Sequence, residues 1–252
     1  MVKHPSFEFD RRKFLGLAAG GVAASAAAAP FAAFAQAAGG ASLKIATIGA
    51  GHEGGTLGTL FAKQGHPVMF SSLHPELLKD LVASAGPMAQ AGTVEQAVEF
   101  GDVLLVVVPY TAVEQIGKDY GKALAAKQLV IDVSNPIAQR DGAAIVSWVA
   151  EQGGAGLATA KLLPGAHLVR GFNAINYARL AADAHRPGEP VGVPIAGDDP
   201  NAIALATRLT KEIGFEPVLV GGLAMGKYLV PGTPLGGEHT PIEIRQILAT
   251  LK

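Results

Sequence analysis

The sequence predicts a doubly wound α/β fold: a mostly parallel sheet covered by helices on both faces, with a short helical extension at the C-terminus. Two observations predict it. Short apolar runs rich in strand formers alternate with helical stretches along the chain, and a cluster of glycines follows the first run directly. The clearest run covers residues 103–108 without interruption, as expected for a parallel strand that is buried on both faces.

The first forty residues have the pattern of an export signal. Two adjacent arginines, Arg11 and Arg12, precede an apolar run rich in Ala and Gly, and Ala-Gln-Ala at residues 35–37 offers a cleavage site. The run is also long enough for a membrane anchor, but alanine and glycine insert weakly. Because the paired arginines resemble a twin-arginine (Tat) signal, we expect export by the Tat machinery and loss of residues 1–37. The mature domain, residues 38–252, is then periplasmic and free of the membrane.

Composition excludes several classes of protein. Hydrophobic residues make up 49% and charged residues 16% of the chain, which is typical of a folded domain rather than a disordered one. A net charge of −1 leaves no basic surface for nucleic acid. The absence of cysteine excludes disulfides, thiolate metal sites and a thiol nucleophile. The histidines lack the spacing of a helical metal pair and no GxSxG elbow is present, so we predict no metal site.

The elements of the mature chain follow in order. Strands are predicted at residues 43–48, 68–70, 88–91, 103–108, 129–132, 167–172, 193–196 and 216–220. Helices are predicted at residues 56–63, 74–85, 93–100, 111–124, 155–163, 177–184 and 200–213, and one or two more close the chain. Pro75 suits a first helical turn, and Thr93 and Asp199 are candidate caps. Between residues 136 and 155 the pattern loosens.

The glycine cluster reads Gly49-Ala50-Gly51-His52-Glu53-Gly54 and lies between the first strand and the first helix. Gly49 permits a tight turn, Gly51 lets the backbone approach a pyrophosphate, and Gly54 lets helix and strand pack closely. The pyrophosphate then meets free N–H groups at the helix start, near His52 and Glu53. This arrangement predicts a Rossmann-type dinucleotide site, although a structural turn or a methyltransferase site could share the glycines.

The end of the second strand bears on the choice of nucleotide. Sites for NAD usually place an acid about 20 residues after the glycines, on the ribose hydroxyls. This chain has Ser71-Ser72-Leu73-His74 there instead. Ser71, Ser72 and His74, with the helix start that follows them, offer hydrogen bonds to a 2′-phosphate, so we predict NADP. Alternatively, the two serines only cap that helix.

Several segments carry a resemblance to a known family. Besides the glycine loop they are Val-Val-Val-Pro-Tyr at residues 106–110, Asp-Val-Ser-Asn-Pro at 132–136, Arg-Gly-Phe-Asn-Ala-Ile at 170–175, Gly-Asp-Asp at 197–199 and Gly-Phe-Glu-Pro-Val at 214–218. Together they resemble the NADPH-dependent coenzyme F420 reductases, or F420:NADP oxidoreductases, over most of residues 43–235. Leu73 stands near an arginine of that family, Arg170 replaces a lysine, and Ala174 replaces a threonine.

The resemblance implies direct hydride transfer between nicotinamide and a deazaflavin. Such a transfer needs two rings held face to face more than an acid–base residue, so no catalytic residue is named. Positioning is assigned to Pro109, Asn135 and Asn173. The residues implied to line the nicotinamide pocket are Val108, Pro109, Tyr110, Ser134, Asn135, Pro136 and Asn173. Alternatively, the prolines only end strands and Asn173 only forms a turn. The resemblance also implies a homodimer through residues 228–234.

Two functions follow from these observations. The first is an NADP(H)-dependent reductase whose acceptor is a deazaflavin such as coenzyme F420, a flavin or another small redox molecule. The second is a non-catalytic exported protein that binds a dinucleotide without turnover. NADPH is not expected to circulate outside the cytoplasm, so an exported reductase needs a cofactor bound before export. An open cleft over the loops of Pro109 and Asn135 favours the first function, and a blocked one favours the second.

Overall fold

Eight strands form one sheet in the computed structural model, which describes residues 42–251; the predicted export signal lies outside this range. The strands are β1 (Ile45–Ile48), β2 (Val68–Ser71), β3 (Ala89–Gly92), β4 (Val103–Val106), β5 (Leu129–Asp132), β6 (Leu168–Arg170), β7 (Gly192–Gly197) and β8 (Glu216–Gly221). Their order in the sheet is β3-β2-β1-β4-β5-β6-β7-β8. All neighbours are parallel except β6 and β7, so the predicted doubly wound, mostly parallel sheet is confirmed.

The α-helices alternate with the strands over most of the described range. They are α1 (His52–Lys63), α2 (Lys79–Ala85), α3 (Val94–Phe100), α4 (Tyr110–Ala125), α5 (Ala138–Asp141), α6 (Ala143–Glu151), α7 (Ala155–Leu162), α8 (Tyr177–Asp183), α9 (Pro200–Glu212) and α10 (Pro241–Thr250). Two 3-10 helices cover Pro75–Leu78 and Leu223–Tyr228. The candidate caps are confirmed: the side chains of Thr93 and Asp199 accept hydrogen bonds from backbone N–H groups at the starts of α3 and α9.

The two faces of the sheet bury separate apolar clusters. Alternate residues of β1 point to opposite faces: Ile45 packs with Leu57 of α1 on one face, and Ala46 packs with Val113 of α4 on the other. All four residues of β1 are buried. This burial on both faces explains why the central strands read as continuous apolar runs instead of alternating ones.

Three predictions about elements need correction. The helix predicted from residue 74 to 85 divides into a 3-10 turn and α2. The strand predicted at residues 167–172 ends at Arg170, because Phe172 has a positive φ of 64° that a strand cannot accommodate. Helices α5 and α6 were not predicted. They are separated by Gly142 at φ 88°, which interrupts the helical periodicity of that stretch.

The chain reverses its direction of winding next to β1. It first runs outward through β2 and β3, then returns to place β4 on the other side of β1. In open α/β sheets, ligands bind at the carboxyl ends of the strands beside such a switch point. The glycine loop lies at this position, directly after β1. Over residues 42–251, none of the helices combines the length and the apolar character that crossing a membrane requires.

Candidate dinucleotide site

The glycine loop has the tight geometry that its sequence predicts. Gly49 has φ 98°, and a Cβ there would overlap the carbonyl oxygen of Val107 on the neighbouring strand. A Cβ at Gly54 would overlap the carbonyl oxygen of Gly49. Both positions therefore exclude any side chain, and they bring the start of α1 against the ends of β1 and β4.

The start of α1 is an uncapped cluster of hydrogen-bond donors. The first helical bond runs from the Gly55 N–H to the Gly51 carbonyl, at 2.7 Å, so the N–H groups of the preceding turn have no helical acceptor. Gly51 is the N-cap and has no side chain to fill this role. No heavy atom outside the loop lies within 4 Å of where its Cβ would stand. The helix thus presents free N–H groups and a vacant surface, which suits a phosphate.

Two of the clefts at this loop lie over the carboxyl ends of strands. The β4–β6 cleft lies over the carboxyl ends of β4, β5 and β6 and has a volume of about 600 Å³. The β1–β3 cleft lies over the ends of β1, β2 and β3 and has a volume of about 920 Å³. Both are lined by Gly51, Val107, Val108 and Pro109, so one ligand can extend through both. This is the shape that a dinucleotide needs, with one nucleoside on each side of the glycine loop.

Most of the predicted site residues lie at these two clefts. The β4–β6 cleft brings together Gly51, His52, Glu53, Gly54, Val108, Pro109, Ser134, Asn135 and Asn173. The β1–β3 cleft brings together Gly49, Gly51, Ser71, Ser72, Val108 and Pro109. The cleft over the loops of Pro109 and Asn135 is open, which is the outcome that favours a reductase over a blocked, non-catalytic pocket.

Tyr110 and Pro136 do not line the β4–β6 cleft, contrary to prediction. Tyr110 is the first residue of α4, and its side chain turns into the core instead of the cleft. Its hydroxyl lies 3.0 Å from Thr159 Oγ1, and burial raises the pKa of the Tyr110 phenol to about 12. The Tyr110 side chain therefore joins α4 to α7.

The predicted phosphate pocket after β2 is only partly present. Ser71 Oγ is buried and donates a 2.7 Å hydrogen bond to the Thr47 carbonyl. Its hydroxyl proton is therefore not available to a ligand. Ser72 Oγ accepts from the His74 N–H and lines the cleft. The exposed His74 ring lies 3.4 Å from the Glu76 carboxylate and does not line the cleft. Ser72 is thus the predicted group that is still available to a 2′-phosphate.

The charges around the β1–β3 cleft are acidic. Its lining includes the carboxylates of Glu95 and Asp119 and contains no Lys, Arg or His. Leu73, which stands near the family's arginine, lines the cleft with 88% of its surface exposed. A 2′-phosphate would therefore find hydrogen bonds here but no opposing positive charge.

A buried ion pair supports the floor of the β4–β6 cleft. Arg170 and Asp132 are register partners on β6 and β5, both side chains are fully buried, and Arg170 Nη1 donates to Asp132 Oδ2 at 2.6 Å. Arg170 also donates to the Ser134 carbonyl and to Asn135 Oδ1, each at 2.8 Å. Asn173 Nδ2 donates to the Asp132 carbonyl at 2.9 Å. The loops that carry Ser134, Asn135 and Asn173 are therefore fixed to one another by hydrogen bonds.

Two buried oxygen atoms in this cleft lack a hydrogen-bond partner: Asn173 Oδ1 and Glu53 Oε1. Native proteins pair most buried polar atoms, so such atoms in a cleft mark positions where a ligand can complete the bonding. Burial raises the pKa of the Glu53 carboxyl to about 7, although a hydrogen bond from the Tyr177 N–H acts in the opposite direction.

Three parts of the wall of the β4–β6 cleft were not predicted from the sequence. Arg140 reaches its rim, where it binds Asp141 and the Asn135 carbonyl. Tyr177 stacks on His52, with 4.6 Å between ring centroids. Pro231 and its neighbours close the opposite side. Only the last of these carried a signal, since Pro and Gly are dense at residues 231–237 and predict a loop.

The polar side chains in the described part of the chain do not form a metal-binding cluster. Within residues 42–251, no three His, Asp or Glu side chains are grouped so that they could hold a metal ion. The polar groups of the clefts are amides, hydroxyls, backbone N–H groups, the His52 ring, the Arg140 guanidinium and the carboxyls of Glu53, Glu95 and Asp119. Such groups bind and orient a ligand that brings its own reactivity.

Residues 44–136 match the family model described as NADP oxidoreductase, coenzyme F420-dependent. The resemblance seen in the sequence is thereby confirmed for this segment, which contains the glycine loop and strands β1 to β5. No curated protein gives a significant match to the chain.

Solved structures share the fold. A hypothetical protein from Sinorhizobium meliloti is 23% identical, with a TM-score of 0.63 over 77% of this chain and 93% of that chain. A candidate F420-dependent NADP reductase from an Arthrobacter species is 18% identical, with a TM-score of 0.60 over 74% and 88%. An imine reductase from Myxococcus stipitatus in complex with NAD⁺ is 17% identical, with a TM-score of 0.53 over 74% and 57%.

Proposed function

We propose that this chain, whose residues 44–136 carry the module of the F420-dependent NADP oxidoreductases, is an NADP(H)-dependent reductase of a small redox acceptor. The acceptor class is a deazaflavin such as coenzyme F420, a flavin or a comparable planar molecule. The observation that carries the proposal is the open β4–β6 cleft joined to the β1–β3 cleft at an uncapped helix start.

The residues of the clefts fit a dinucleotide. A Cβ at Gly51 would occupy vacant space beside the free N–H groups of α1, where the fold places a pyrophosphate. In this arrangement the backbone at residues 52–54 binds phosphate, and Ser72 contacts the adenosine ribose. Pro109, Asn135 and Asn173 form the walls of the nicotinamide half. When bound, the reduced cofactor supplies a hydride; the protein supplies orientation and keeps water out.

Isotope transfer tests the reductase proposal. NADPH dideuterated at C4 of the nicotinamide is mixed with the purified chain and coenzyme F420, and the acceptor is analysed by mass spectrometry. With a flavin, whose reduced N5–H exchanges with water, reduction is followed instead by the loss of the flavin's visible absorbance. We expect deuterium on the deazaflavin carbon or bleaching of the flavin. NADPH binding without deuterium transfer and without flavin reduction would favour the non-catalytic alternative, in which the chain retains the nucleotide site alone.

We further propose a preference for NADP(H) over NAD(H), supported by the family and by the lack of an acid at residues 71–75. The preference is expected to be small, because no cation lines the β1–β3 cleft and Glu95 and Asp119 do. The pair of dissociation constants for NADPH and NADH at fixed salt and pH measures it directly. Equal or tighter binding of NADH would reject it.

Leu73→Arg is expected to tighten NADPH binding about tenfold and to leave NADH binding nearly unchanged. A guanidinium at this position would supply the missing charge to the 2′-phosphate, and charge-assisted bonds to phosphate contribute roughly 1.5–3 kcal/mol. Leu77→Arg is the matched control, because Leu77 is also exposed on the following 3-10 turn but does not line the cleft. Equal tightening by both variants would indicate a general charge effect only.

We also propose that the chain is exported by the Tat machinery. Tat export to the periplasm rests on Arg11 and Arg12, and normal export after both are changed to Lys would reject it. Because the Tat route carries folded proteins, the cofactor enters the site before export in this proposal.

A homodimer through residues 228–234 is proposed from the resemblance alone. A monomer mass by light scattering at micromolar concentration would reject it.

A further inference from the structure

Glu53 places a carboxyl beside the backbone N–H groups that would bind a phosphate. It lies in the first turn of α1, lines the β4–β6 cleft and is partly buried. Its carboxyl accepts a hydrogen bond from the Tyr177 N–H. Among residues 42–251, its Oε1 has no hydrogen-bond partner and its carboxyl takes part in no salt bridge.

The charged and titratable groups around Glu53 do not neutralise it. On its own helix, His52 stacks against Tyr177 of α8. Across the cleft, Arg140 of α5 directs its guanidinium to Asp141 and to the Asn135 carbonyl. Burial therefore acts on a carboxyl without a cation and raises the pKa of Glu53 to about 7, so that both forms are populated near neutral pH.

A bound dinucleotide would add negative charge beside this carboxyl. The free N–H groups that would hold the pyrophosphate belong to the same helical turn as Glu53. A like charge nearby disfavours the ionised form, and a protonated carboxyl can donate a hydrogen bond that a carboxylate cannot. Protonation thus removes the repulsion between the Glu53 carboxylate and the phosphates, and it lets the unpartnered Oε1 form a hydrogen bond with the ligand.

We propose that Glu53 binds the dinucleotide in its protonated form, so that a proton from solvent enters the cleft together with the cofactor. The inference rests on the proposed function, since it concerns the same site. Glu53 is then a proton-linked binding residue, and its O–H donates to an oxygen atom of the ligand. No bond of the ligand is broken, and the proton returns to solvent when the ligand leaves.

The sign of the pH dependence follows from linkage. If Glu53 binds the ligand in protonated form, its pKa is higher in the complex than its value of about 7 in the free protein. Below that value both states are protonated and affinity is at its maximum. As pH rises from the free to the bound pKa, affinity falls by up to about tenfold per pH unit, because a proton must be taken up with each ligand.

Calorimetry of NADPH and NADH binding at pH 8, in buffers of different ionisation enthalpy, tests the inference. At this pH the free carboxyl is mostly ionised, so the wild-type protein should take up protons on binding, up to one per ligand. Glu53→Gln keeps the size and hydrogen-bonding capacity of the side chain but cannot titrate. It should abolish the uptake and bind more tightly than the wild type at pH 8, by up to about tenfold, because no proton has to be taken up. Glu99→Gln, which changes an exposed acid outside both clefts, should behave like the wild type.

His52→Asn tests whether the imidazole of His52, rather than Glu53, takes up the proton. Proton uptake that persists in Glu53→Gln and disappears in His52→Asn would overturn the inference and assign the proton to the imidazole. Ligand binding without any proton uptake by the wild type would overturn it as well, while leaving the proposed function intact. Failure of the wild type to bind either nucleotide would reject the proposed function, and this inference with it.

Discussion

Gly51→Val is expected to abolish NADPH binding, with a loss of at least a hundredfold in affinity, while the protein stays folded. The structure separates these two effects. Gly51 has φ −69° and ψ −163°, a conformation that valine adopts readily, and no heavy atom outside the loop lies within 4 Å of where its Cβ would stand. The branched side chain would fill only the space that a pyrophosphate needs. Calorimetric titration and thermal unfolding measure the two properties on the same sample.

Gly54→Val provides the contrasting control for that prediction. Its Cβ would overlap the Gly49 carbonyl, so the start of α1 must move and the fold is expected to lose stability. Unchanged NADPH affinity in Gly51→Val would mean that the glycine loop is only a structural turn. Unfolding of Gly51→Val, with Gly54→Val tolerated, would reverse the roles assigned to the two glycines.

Arg170→Leu is expected to destabilise the protein by about 3–5 kcal/mol, because it leaves the Asp132 carboxylate buried without its partner. The substitution also removes the bonds from Arg170 to Ser134 and Asn135, so NADPH binding should weaken in the fraction that remains folded. Denaturant unfolding measures the free energy, and titration measures the affinity.

The double variant Asp132→Leu with Arg170→Met is the control for the buried pair. It removes both charges together, and replacing a buried pair with apolar side chains is often close to neutral. We therefore expect it to recover most of the stability lost in Arg170→Leu but not the hydrogen bonds to the cleft loops. A loss below about 1 kcal/mol in Arg170→Leu would show that the Asp132 charge is compensated by other means.

The glycine loop and the central sheet could be predicted because their causes are local. A buried parallel strand needs an apolar run, and a tight turn after it needs glycine at Gly49, where φ is 98°. The same reasoning predicts the capping of α3 and α9 by Thr93 and Asp199. Each of these features depends on a few neighbouring residues that one sequence displays in full.

The side-chain directions at the site could not be predicted, because they depend on packing between distant segments. Tyr110 follows a strand end in the sequence, but its hydroxyl lies in the core, where it contacts Thr159 of α7. Ser71 lies at the expected strand end, but its proton is used by the Thr47 carbonyl of the adjacent strand. The pairing of Arg170 with Asp132 requires the register of β5 against β6, which the sequence alone does not supply.

The acidic lining of the β1–β3 cleft is a second feature that sequence reasoning missed. The absence of a carboxylate after β2 favours NADP, but Glu95 and Asp119 enter the cleft from α3 and α4. Their approach depends on how those helices pack over β1 and β2. The family segment therefore predicts the class of cofactor, while the balance between NADPH and NADH depends on tertiary placement.

We expect the joined clefts over the carboxyl ends of β1 to β6 to hold one NAD(P) molecule. Equilibrium titration of the purified wild-type chain with NADPH, repeated with NADH, measures this binding. The expected result is saturable binding of one nucleotide per chain with a dissociation constant on the order of micromolar or tighter. Absence of saturable binding for both nucleotides at millimolar concentration would contradict it.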